Sequence, residues 1–138
     1  MRADPLPELS FERIVPGEVY AEREIEVSRA EAAAYAGALA EGTGIAPDAE
    51  GIPFLMAASW TIPRVAFSSW RVPPGGLHAR QTWSGLKALR PGTRVRVRTS
   101  AKETYRAKGR AYVVFESVVE DLEGVPLARG EMTILWPE

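Results

Sequence analysis

Cysteine is absent from this 138-residue chain. That removes disulfides, a thiolate nucleophile and any cysteine-held zinc or iron–sulfur cluster. Asparagine is also absent, so no N-glycosylation sequon exists. Histidine occurs once, as His78, which excludes a site built from several imidazoles of one chain. No carboxylate stands anywhere between Gly51 and Lys102. No long apolar run is uninterrupted either: the most apolar stretch, 52–70, contains Pro53, Pro63 and Arg64 and does not read as a membrane span. Asp4, Glu8 and Glu12 occupy the place where a signal peptide needs an apolar core, so a cytoplasmic protein is the expectation. Basic and acidic residues number 17 and 18, and this balance argues against a globally basic nucleic-acid binder.

The remainder is ordinary globular composition, 46% hydrophobic and 25% charged, in a length that suits one domain. Residues 1–17, with Pro5, Pro7 and Pro16, read as an extended N-terminal arm, and 18–138 as a single domain. Val19 to Val27 alternates loosely between apolar and charged, which predicts a strand with one wet face. Ser28 and Glu31 form a capping-box pattern ahead of the Ala-rich stretch 32–41, which predicts a helix ended by Gly42. Breakers crowd 42–53 and predict a loop. The apolar stretch 52–70 lacks strand alternation and predicts a long helix, kinked or restarted near Pro63 with Thr61 as its cap. After Pro73-Pro74-Gly75-Gly76 come four predicted strands: 77–89, 93–99, 111–120 and 125–136. Thr93 to Thr99 has strict period two, arginines on one side and valines on the other. The order predicts an α+β fold, a curled antiparallel sheet around a long apolar helix.

Several stretches then resemble a known family. They are Leu77-His78-Ala79-Arg80-Gln81-Thr82-Trp83, Leu89-Arg90-Pro91-Gly92-Thr93, Tyr105 to Val113, and Glu123-Gly124-Val125-Pro126-Leu127-Ala128-Arg129-Gly130. Together they resemble the MaoC-like dehydratases, particularly their N-terminal-type domains, over about residues 17–137. The resemblance implies the hot-dog fold, an antiparallel sheet wrapped around a long central helix. It also implies acyl thioesters of coenzyme A or acyl carrier protein as ligands, with no resident cofactor. The implied reaction is hydration of a 2-enoyl thioester, or dehydration of a 3-hydroxyacyl thioester. Hydratases of this kind place an Asp and a His about five residues apart in the loop after the first helix. Here that loop, 41–48, has Glu41 and Asp48 but no His, so the dyad does not carry over. The expectation is a homodimer, or a heterodimer with a hot-dog subunit that supplies the missing pair. Two alternatives stand beside it: a thioesterase using a loop carboxylate such as Asp48, and a non-catalytic acyl-thioester binding module.

The candidate residues follow. Asp48, Glu41 and His78 are the candidates for acid–base work; His78 is also a candidate substrate contact, with a structural hydrogen bond as its other reading. Trp60 is a candidate lining residue of an acyl site, and equally a core or interface residue, as are Phe67 and Trp70. Gly75 and Gly76 either relax the chain into the next strand or let a pantetheine arm approach the backbone. Residues 80–110 carry ten positive charges against Glu103 alone. They are read either as a seat for phosphates or an acidic carrier, or as the wet face of a strand.

Overall fold

The computed structural model describes residues 3–44 and 54–138. Five strands, β1 (Val19–Glu26), β2 (Leu77–Gly85), β3 (Arg94–Ala107), β4 (Arg110–Asp121) and β5 (Pro126–Leu135), form one antiparallel sheet. Their order is β1-β3-β4-β5-β2. The main helix is α1 (Arg29–Thr43), and the class is α+β. Ser28 caps α1 by accepting the Glu31 N–H at 3.3 Å. The helix runs past Gly42 and ends two residues later, at the left-handed Gly44.

The long helix expected over 52–70 does not form. Phe54–Trp60 is a 3-10 helix, and α2 is only Pro63–Ala66. Proline has no N–H to continue a preceding helix but fits the first position of a new one, where Pro63 sits. The Ser59 and Thr61 hydroxyls donate to the carbonyls of Met56 and Ala58 at 2.8 and 2.9 Å, closing tight turns. Thr61 therefore does not cap α2; Ile62 stands at its N-cap without a side-chain bond. The stretch is nonetheless core: Met56, Ala57, Trp60, Thr61, Ala66 and Phe67 are buried. Among the described residues, no helix is long and apolar enough to cross a membrane.

The alternation in β3 works as the sequence predicts. Val95, Val97, Thr99 and Ala101 face the core, and Arg94, Arg96 and Arg98 face outward. The four last strands are not a simple meander, because β2 lies at the far edge against β5 and the link 86–93 crosses to β3, burying Leu89. Two apolar clusters fill the inner face. One joins α1, the 3-10 helix and β3 through Ala32, Met56, Trp60 and Val97. The other holds Phe67, Phe115, Trp136 and Tyr20 with two residues of the arm, Leu9 and Ile14. The arm is extended apart from a 3-10 turn at Phe11–Arg13, and it is packed onto the domain, with Leu9 wholly buried.

Candidate functional site

The inner face of the edge strand β2 is only partly covered. Pairing sets His78 beside Ile134, Gln81 beside Met132 and Trp83 beside Gly130, so all three point to the core side. Trp83 is packed there, its ring lying where a side chain on Gly130 would be. His78 and Gln81 are exposed.

A cleft of about 240 Å³ opens beside His78. Met132 and Ile134 of β5 give it an apolar floor. Pro63 and Arg64 of α2, Val72 and Pro73, and Trp136 and Pro137 after β5 line it as well. Gly76 lies at the rim, where an added Cβ would meet Ile134 and Pro137 at 3.4–3.5 Å. The polar side chains of the lining are His78 and Arg64, and among the described residues no carboxylate lines the cleft. Such a place suits an apolar group held beside one imidazole. The described residues do not supply there the second acid–base group that adding or removing water requires. Among the described residues, no cluster of His, Asp and Glu suits a metal ion.

The sequence candidates are therefore divided. Gly76 and His78 meet at the cleft. Gly75 lies in a neighbouring groove with Gly109 and Arg110. Trp60 sits in the core, with its carbonyl accepting from Arg23 Nη2 at 2.7 Å. Glu41 is exposed near the end of α1, outside the cleft. Asp48 lies outside the described residues. The floor residues Met132 and Ile134, and Trp136 beyond them, were not among the candidates. Their period-two spacing assigns them to one face, but only the β2–β5 pairing sets that face beside His78.

The basic stretch separates by pairing. Arg94 bonds Glu24, Arg98 reaches Glu22, and Arg96 lies within 3.8 Å of both. Glu120 of β4, its side chain 11% exposed, lies 3.4 Å from Arg96 and from Arg98. These arginines are the middle row of a cross-strand ladder on the outer face, which is the wet-face reading. Lys102 pairs with Glu131 and Arg106 with Glu138, and each carboxylate raises its partner's pKa.

By sequence, no family model and no curated protein matches the chain. By structure, it is similar to a MaoC-like dehydratase from Rhodospirillum rubrum, with a TM-score of 0.71 and 18% identity over 94% of this chain and 98% of that one. A HadBC (3R-hydroxyacyl-ACP dehydratase) complex from Mycobacterium tuberculosis matches with a TM-score of 0.65 and 15% identity, over 87% and 96% of the respective chains. A thioesterase from Thermus thermophilus, complexed with coenzyme A and zinc, matches with a TM-score of 0.60 and 16% identity, over 87% and 80%. The fold is the hot-dog fold of these proteins. Its main helix is the Ala-rich α1 rather than the apolar stretch 52–70.

Proposed function

We propose that this chain binds an acyl thioester, carried on coenzyme A or acyl carrier protein, with the acyl end in the cleft beside His78. In this reading it serves hydration of a 2-enoyl thioester, or the reverse dehydration, as one subunit of an assembly. A related hot-dog subunit supplies the Asp–His pair. The observation that carries the proposal is an apolar cleft with one imidazole and, among the described residues, no carboxylate in its lining, on the inner face of an open edge strand. Hydration needs one group to activate water for attack at C3 and another to handle the proton at C2. His78 is suited to one of these tasks at most.

The two sheet edges support a partner at β2. β1 carries the inward-facing Arg23 and a row of outward acids, Glu22, Glu24 and Glu26, features that discourage edge pairing. β2 has no proline, lysine or inward-facing Arg along its nine residues. A chain added there would stand beside His78 and could complete the site. The structural likeness to the HadBC dehydratase complex supports a partner subunit.

Purified chain alone is expected to bind a 2-enoyl-CoA and to hydrate it negligibly, followed as loss of enoyl absorbance. Robust hydration by the isolated chain, surviving Asp48→Asn and Glu41→Gln, would contradict the need for a partner. Release of free thiol from acyl-CoAs would favour a thioesterase instead. Saturable binding with neither reaction, even beside a catalytic hot-dog subunit, would identify a binding module.

A further inference from the structure

One residue of the arm ties together two segments that line the cleft. The Leu9 N–H donates to the Arg71 carbonyl at 3.0 Å. Its own carbonyl accepts the Trp136 indole N–H at 3.0 Å, in a buried bond 127 residues apart in sequence. Arg71 directly precedes the lining residues Val72 and Pro73, and Trp136 is itself a lining residue beside Pro137. The arm is anchored twice more at this point: the Arg71 N–H donates to the Pro7 carbonyl at 2.9 Å, and the Arg71 guanidinium pairs with Glu8. Behind Trp136 the interior is filled. Its ring packs on Phe115 at 5.9 Å between centroids, and Phe115 packs on Phe67 at 5.3 Å. Leu9 and Phe115 are both wholly buried.

We infer that the arm braces the cleft and limits it to a short acyl group. This inference rests on the acyl-thioester reading above. Small-molecule pockets commonly run to roughly 300–1,000 Å³, and the part of the cleft that this chain's described residues form is about 240 Å³. Trp136 lines the cleft and is backed by the buried Phe115, so among the described residues a longer acyl chain meets a packed ring there. The indole cannot turn aside to make room without leaving the Leu9 carbonyl buried and unpaired. Three prolines in the lining, Pro63, Pro73 and Pro137, stiffen it. Trp136 is thus a positioning and specificity residue, held by the arm.

The test is the chain-length profile of binding, measured with saturated acyl-CoAs of increasing length. Native protein should prefer the short chains, with affinity falling about tenfold or more at the long end, the scale on which apolar pockets discriminate size. Trp136→Phe keeps an aromatic ring but removes the N–H donor, and it should flatten that preference. Arg71→Ala, at an exposed position, should shift it in the same direction by a smaller factor. Thermal unfolding of each variant confirms that it is folded, and a purely structural role would lower stability without changing the ratio of long-chain to short-chain affinity. Native protein that binds long chains as tightly as short ones overturns the inference and leaves the functional reading standing. The same holds if both folded variants keep the native ratio. Absence of saturable binding at every length overturns the functional reading, and this inference with it.

Discussion

Gly130 shows how a single missing side chain fits β2 to the sheet. It stands opposite Trp83, and the indole occupies the space a Cβ would take. Gly130→Ala should therefore force the ring outward and destabilise the fold by about 1–3 kcal/mol, as overpacking does. In a Trp83→Leu background the same change should cost less, and denaturant titration of the four proteins checks the coupling. A second residue-scale feature lies on the same inner face, where Thr99 and Ser117 share a 2.8 Å hydrogen bond. That bond allows two hydroxyls to stay buried among valines. His78 and Gly76 were legible as site candidates, because a lone imidazole after a Gly-Gly pair draws attention by chemistry alone. Gly130, Met132, Ile134 and Trp136 were not, since their meaning depends on which strand lies beside β5. Strand pairing between residues some fifty apart leaves no local trace.

At the scale of elements, the strands were legible because alternation reports a half-buried sheet directly. Arg94, Arg96 and Arg98 declared their outward face in the sequence, while their partners Glu22, Glu24 and Glu120 come from two other strands. The stretch 52–70 misled because hydrophobicity reports burial and not conformation. Much of its described part is buried, though Leu55, Ile62 and Val65 are exposed, and Pro63 and the hydroxyls of Ser59 and Thr61 divide it into short turns. The arm gave no sign of docking, since Leu9 and Ile14 fall in no regular apolar period and stand among prolines and charges.

One latch ties the arm, the end of β3 and the residues after β5. Arg106 pairs with Glu138 and with Glu12, and lies 4.9 Å over the Phe11 ring. Hydrogen bonding to Arg106 holds the Glu138 carboxyl below its ordinary value, against a smaller opposing effect of desolvation. A lowered carboxylate pKa contributes stability above the ordinary value, and that contribution is lost as pH falls through the lowered one. Glu138→Gln should thus lower the unfolding midpoint slightly at neutral pH, and the gap to native should close in acid. A gap that persists unchanged below the usual carboxylate range would contradict the latch.

At the scale of the whole molecule, topology makes the candidate site. Placing β2 at the far edge against β5 puts His78 over an apolar floor, and leaves both the imidazole and the strand edge open. The class and the antiparallel sheet were readable from the order of elements. The identity of the main helix and the position of β2 were set by tertiary contacts, which the residues reveal only once folded. The account as a whole requires the cleft to be where the acyl end rests. Gly76 offers a way to close it, because its φ is not in the left-handed region and a larger side chain there would point at Ile134 and Pro137. Calorimetric titration with a short 2-enoyl-CoA should show saturable binding to native protein and none to folded Gly76→Phe. Equal affinity in the two proteins would place the ligand elsewhere and contradict the account.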